Sequence, residues 1–150
     1  MKSALGKSVS MEPYYQYLVK EGYFDTMKDV RLLAIMIGFK NDARSSFDKY
    51  GGDAIKEHIF KDDMDFLNII AVLTTKDIKI LLNESKDDKY KMLEEYAEGG
   101  MNIFVSEVFT GQYTSAERIL DYVRRYAPEV SKSKTDLSSL FETIIDELSE

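Results

Sequence analysis

The chain has no cysteine, one histidine and two prolines among its 150 residues. Without cysteine there is no disulfide framework and no thiolate metal site, and a reducing compartment is the expected setting. A single histidine excludes the common zinc sets and leaves no evident Ser–His or Cys–His pair for nucleophilic catalysis. No G-x-S-x-G elbow, no G-x-x-x-x-G-K-[ST] loop and no G-x-G-x-x-G turn occurs, and Gly51-Gly52-Asp53 is too short to cradle a phosphate. The apolar run Leu32 to Gly38 is seven residues with its glycine, and no run approaches the ~18 of a membrane span. The first residues, MKSALGKSVSMEP, carry two lysines but no apolar stretch of the leader type. The cytoplasm is therefore the expected location, with no membrane contact and no cofactor implied.

A chain of this length is expected to form one domain and can bury about 68–70% of its unfolded surface. The net charge of −7 is unevenly placed. Residues 1–60 carry nine Lys/Arg against eight Asp/Glu, while residues 61–150 carry eleven against nineteen. An acidic body repels a phosphate backbone, which argues against direct nucleic-acid binding by the surface as a whole.

What is present in quantity is a helix-start signal. Thr26…Asp29, Thr74…Asp77, Ser85…Asp88, Thr114…Glu117 and Ser133…Asp136 each place a hydroxyl three residues before a carboxylate. The hydroxyl can accept from an orphan first-turn amide, and the acid sits at the positive end of the helix dipole. Apolar residues follow each signal at helical spacing. The expectation is an all-α fold, a single compact bundle of six or seven helices, with one short extended segment near residues 53–60.

Residues 1–10 are small and polar and predict a frayed, disordered end. The pattern predicts helices over 11–23, about 25–39, from 61, over 77–83, from 87 to 108, over 115–126 and over 136–149. The second carries apolar residues nearly all round and is expected to be central. Gly99-Gly100 interrupts the fifth, yet Tyr96, Gly100, Phe104 and Val108 stay in phase. The glycines therefore read as a close crossing by another helix rather than a break. Residues 1–130 are read as a helical domain, and 131–150 as a connector plus an amphipathic helix packed on the domain or on a partner.

Four groups could carry chemistry. His58 could serve as general base or metal ligand, although a surface or hydrogen-bonded core histidine is the plainer reading. Lys61-Asp62-Asp63-Met64-Asp65 could hold a divalent cation, or its acids could simply offset a helix dipole. Asp53 with Asp77-Ile78-Lys79 has the D…(D/E)xK spacing of magnesium nucleases, a chemistry that needs the acids on adjacent strands. Tyr14, Tyr15, Tyr17, Lys20, Tyr23, Phe24, Lys28 and Arg31 could stack bases and neutralise phosphates, or pack their rings inward.

The terminal stripe Leu137, Leu140, Phe141, Ile144, Ile145 and Leu148 is the cleanest in the chain. It could close the chain's own core, lie in a partner's groove or form a homodimer. Leu137, Leu140, Phe141, Ile144 and Leu148 are the first candidates for partner contact, and Tyr14, Tyr15 and Tyr17 the second.

The runs Phe24-Asp25-Thr26-Met27-Lys28-Asp29-Val30, Ile37-Gly38-Phe39-Lys40, Ile69-Ile70-Ala71-Val72-Leu73 and Leu93-Glu94-Glu95-Tyr96-Ala97-Glu98-Gly99-Gly100 carry a resemblance. Over roughly Tyr23 to Phe104 the chain resembles the DNA phosphorothioation (Dnd) system-associated proteins, associated protein 4 in particular. From about Val105 onward it lies outside that likeness. The resemblance implies a non-catalytic accessory role beside DNA sulfur modification and the restriction of unmodified DNA, in bacterial defence against phage. It carries no catalytic residues to this chain, and its implied partners are other proteins, subunits of a modification or restriction complex. Two alternatives stand beside it. One is an acidic DNA mimic presenting Asp62, Asp63, Asp65, Asp87, Asp88, Glu94, Glu95 and Glu98 on one face; the other is the magnesium nuclease of Asp53, Asp77 and Lys79.

Overall fold

A computed structural model describes residues 4–125. Its elements are β1 (Ala4–Leu5), α1 (Glu12–Lys20), α2 (Met27–Lys40), β2 (Ile55–Lys56), α3 (Met64–Thr75), α4 (Lys86–Val108) and α5 (116–125). The all-α expectation holds, with five α-helices among the described residues instead of six or seven. The predicted helix over 77–83 is a single 3-10 turn, Ile78–Leu81. Four residues between the left-handed Lys76 and the next polar stretch are too few to nucleate an α-helix. The predicted helix over 136–149, and with it Ser133…Asp136, lies outside the described residues. The chain divides between Glu107 and Val108, whereas the expected boundary near residue 130 falls outside the described part.

Local chemistry accounts for the helix ends. Thr26 caps α2: its hydroxyl accepts from the Asp29 amide at 3.3 Å and donates to the Asp29 carboxylate at 3.0 Å. Pro13 stands in the first turn of α1, where its missing N–H costs nothing. Gly22, at φ +78°, ends α1 in a Schellman motif, with Tyr23 N–H on Leu18 C=O and Gly22 N–H on Val19 C=O, both 3.0 Å. The other start signals behave differently. Thr74 lies inside α3 and bonds the Tyr96 hydroxyl at 2.9 Å, while Asp77 itself caps the following turn through the Lys79 amide. Ser115, one residue after Thr114, accepts from the Arg118 amide at 3.2 Å and starts α5.

The extended segment is real but brief. Ile55–Lys56 pairs antiparallel with Ala4–Leu5, after which Glu57–Asp63 forms a 3-10 stretch running into α3. For residues 4–8 this pairing corrects the expectation of a disordered end. Leu5, Lys7, Ser8 and Met11 are buried, and the pairing continues through a Ser8↔Tyr50 bridge and bonds from Val9 N–H to Lys49 C=O and Gly51 N–H to Lys7 C=O. Small and polar residues disguise the strap, because its anchoring is ionic rather than apolar.

The centre of the first unit is the crossing of α2 and α4. A Cβ on Gly100 would lie 1.7 Å from Ala34 C=O, one on Gly38 2.0 Å from Tyr96 C=O, and one on Gly99 2.1 Å from Ala43 C=O. Only glycine permits backbones this close, and α4 runs unbroken through the pair. The crossing read from the phase of Tyr96, Gly100, Phe104 and Val108 is therefore present. Val30, Ala34, Ile35, Leu93, Ala97, Met101 and Phe104 fill the surrounding core, each large side chain contributing about 1.5–3 kcal/mol. α2 is not buried all round, since Met36 faces outward at 42% exposure.

Candidate functional site

The polar chemistry of the first unit converges on about two turns of α4, Glu94 to Gly100. Ser8 Oγ donates to Glu98 Oε1 at 2.7 Å, and the Tyr50 hydroxyl donates to Glu94 Oε2 at 3.0 Å. The Arg44 guanidinium pairs with the Glu95 carboxylate, and Ser45 N–H donates to Glu95 C=O at 3.0 Å. Tyr96 meets Thr74 through its hydroxyl, and Phe39 edge-on at 5.8 Å. Each polar or aromatic residue of the segment thus receives a different part of the chain, and the two glycines admit α2 and the loop after it.

Beneath the strap is a buried ionic cluster. Lys7 Nζ lies 3.2 Å from the Glu12 carboxylate and donates to Asp53 C=O at 2.6 Å. Arg31, fully buried, donates from Nη1 to the Tyr15 hydroxyl at 2.8 Å and from Nη2 to Gly6 C=O. Burial pushes the Tyr15 hydroxyl above its ordinary value despite the adjacent guanidinium. Burial likewise raises the Glu98 carboxyl, opposed by the Ser8 hydrogen bond and the Arg31 charge. Glu98 Oε2 and Arg31 Nε are buried without a hydrogen-bond partner among the described residues.

A second cluster opens α4. Lys86 Nζ donates to Glu57 at 2.7 Å, and Lys89 Nζ donates to Asn68 Oδ1 at 3.0 Å. The Lys86 and Tyr90 contacts hold the Glu57 carboxyl below its ordinary value. Desolvation lowers the Lys89 amine, an effect that Glu57 opposes and Lys86 reinforces. The Tyr90 hydroxyl is buried facing Glu57, and that burial with the carboxylate beside it drives its titration well upward.

The residues singled out in the sequence fall as follows. Asp53 and His58 line one shallow cleft of about 640 Å³ together with Lys56 and Glu57, beside the β1–β2 pair. Asp77 and Lys79 are not in its lining. They sit on a 3-10 turn, so the adjacent strands that the nuclease reading requires are absent there. Asp63 pairs with Lys28 at 3.1 Å, and among the described residues no three His, Asp or Glu side chains converge as metal ligands. The acidic face of the DNA-mimic reading is not formed by all eight carboxylates: Glu94 and Glu98 are buried at 2% and 5% exposure and Glu95 is paired with Arg44, while Asp62, Asp65, Asp87 and Asp88 are exposed.

Tyr15 is fully buried, which removes it from any contact surface; its ring carries Arg31 at 5.6 Å and Lys7 at 5.8 Å. Tyr14 and Tyr17 are half-buried on α1, the latter against Tyr23. Arg31 is interior, so the basic–aromatic strip does not form a stacking surface with it. Leu137, Leu140, Phe141, Ile144 and Leu148 lie outside the described residues. The ionic strap cluster was missed from the sequence; its one signal was Glu94 and Glu98, four apart and so on one face of α4. No described helix is long and apolar enough to cross a membrane.

The family model for DNA sulphur modification system-associated protein 4 matches residues 13–140. The match continues well past Phe104, so most of the C-terminal third is inside the family pattern rather than outside it. No curated protein and no solved structure matches the chain.

Proposed function

Because the chain belongs to the family of DNA sulphur modification system-associated protein 4, we propose that it is a non-catalytic accessory protein that works by contacting other components of such a system. The observation that carries this reading is the family match, which runs over the described helices from residue 13 and reaches only Leu137 and Leu140 of the terminal stripe. The packing supports it: Glu94, Glu95 and Glu98 are engaged in holding the strap and loop to α4, and Arg31 and Lys7 in holding the strap to its other neighbours.

The proposed contact surface is the stripe Leu137, Leu140, Phe141, Ile144 and Leu148, whose spacing suits a partner's groove or a second copy. Tyr14 and Tyr17 are the second choice. Phage defence through linked restriction is the proposed setting, and the cytoplasm, where the DNA is, the proposed location.

The test is affinity recovery of the tagged chain from its host, with and without nuclease treatment, read by mass spectrometry. Recovery of modification or restriction subunits in both samples is the expected result. Partners that vanish after nuclease treatment, or recovery of the chain alone, would sink the reading.

A further inference from the structure

The strap of residues 4–11 is held unlike the helices beneath it. Its strand pairing is short, two residues in each of β1 and β2 followed by the single Ser8↔Tyr50 bridge. Only Leu5 and Met11 anchor it by apolar burial. The remaining hold is ionic and interior: Lys7 on Glu12 and Asp53 C=O, Gly6 C=O on Arg31, and Ser8 on Glu98. Interior ion pairs return little net stability, because desolvation of the charges offsets their attraction. Segments held this way open at lower cost than apolar helices do.

Glu98 is the sensitive member. One of its oxygens is tied to Ser8, and the other is buried without a hydrogen-bond partner among the described residues. The groups acting on it are Ser8 from the strap, Tyr15 on α1 and Arg31 from α2. None of these supplies a donor to the orphan oxygen, so the ionised carboxylate is held at a cost that water would remove.

We propose that the N-terminal strap is a latch, closed on α4 through the Ser8–Glu98 contact, which opens as a unit and opens more readily once Glu98 is ionised. The sign follows from linkage. In the open strap Glu98 is hydrated and titrates near its ordinary value of 4.5; in the closed strap the carboxyl is raised. The closed state therefore binds the proton more tightly, and closure weakens as pH rises from the open value through the closed one. Opening would uncover the Arg31, Tyr15 and Glu98 side chains together, a cation, a ring and an anion that are hidden in the closed form.

Hydrogen exchange of the full chain, corrected for the intrinsic pH dependence of amide exchange, tests this. Val9 and Gly51 amides, bonded across the strap, are the reporters, and α4 amides around Met101 are the reference. The expected result is that the strap amides exchange together, faster than α4, with protection falling as pH rises above the ordinary carboxyl value of 4.5. Glu98→Gln is expected to abolish that pH dependence. Ser8→Ala, which leaves the carboxylate in place, is expected to lower strap protection about tenfold or more where Glu98 is ionised, since hydrogen bonds to charged groups are the strong ones. Strap protection equal to that of α4, or an unaltered pH dependence in Glu98→Gln with native helix content, would overturn the proposal. Unchanged protection in Ser8→Ala would do the same if Glu98→Gln fails to fold.

Discussion

Ser8 and Tyr50 oppose each other across an antiparallel bridge, and each reaches down to a glutamate on α4: Ser8 to Glu98, Tyr50 to Glu94, one helical turn apart. A two-strand ribbon is thereby registered on a helix by a matched pair of hydroxyl–carboxylate bonds. Residues 42 positions apart in sequence meet at an i, i+4 pair.

Losing one of these bonds should be felt less at the rim than inside. Tyr50 is 54% exposed, so Tyr50→Phe is expected to cost about 1 kcal/mol, within the range for a single hydrogen bond. Urea unfolding of the two proteins checks it, with an unchanged slope showing that compactness is preserved.

The α2–α4 crossing should tolerate no side chain at its closest point. Gly100→Ala would drive a methyl into Ala34 C=O, and Gly38→Ala into Tyr96 C=O. Both obstacles are backbone and cannot swing aside. A loss of about 3 kcal/mol or more is expected in each, above the ordinary cost of overpacking, measured as a fall in the urea midpoint.

Arg31 holds Tyr15 and Gly6 from inside the protein. Arg31→Ala leaves both acceptors without their donor and is expected to cost about 1–3 kcal/mol for each. Arg31→Lys, lacking the fork that reaches two acceptors, is expected to recover only part. Thermal unfolding of the three proteins gives the ranking.

Lys76 ends α3 at φ +55°, in the left-handed region, without being glycine. Lys76→Gly removes that strain at an exposed site and is expected to stabilise by about 1 kcal/mol. A calorimetric midpoint that falls instead would show that the Lys76 side chain does more than end the helix.

Helices were legible in this sequence wherever one local pattern decided them. The Thr26 cap, the Gly22 stop and the Gly99-Gly100 crossing are all written in residues within one turn of where they act. Thr74 misled because a start signal depends on where the previous helix stops, and α3 runs to Thr75. The strap was illegible for a different reason. Lys7 and Ser8 look like solvent-facing residues, and their partners Glu12, Asp53 and Glu98 are identified only by the fold. Glu94 and Glu98 likewise read as surface acids until Tyr50 and Ser8 are brought to them.

Acid should act on Glu57 in the opposite sense to Glu98. Its carboxyl is lowered by Lys86 and Tyr90, so it contributes stability above the ordinary value of 4.5, lost as pH falls through the lower folded value. Glu57→Gln is expected to lose less than about 1 kcal/mol at neutral pH, the pair being partly exposed. Variant and parent should converge in strong acid, as a pH series of urea midpoints would read.

The most direct measurement of the accessory role is complementation of a host lacking this chain by Asp53→Asn, His58→Gln, Asp77→Asn and Lys79→Gln combined. These are the side chains on which a catalytic reading would rest. Restoration of DNA sulfur modification and of its linked restriction to the level given by the unaltered chain is the expected result. Loss of either, with native helix content and undiminished recovery of partner subunits, would contradict a role by contact alone.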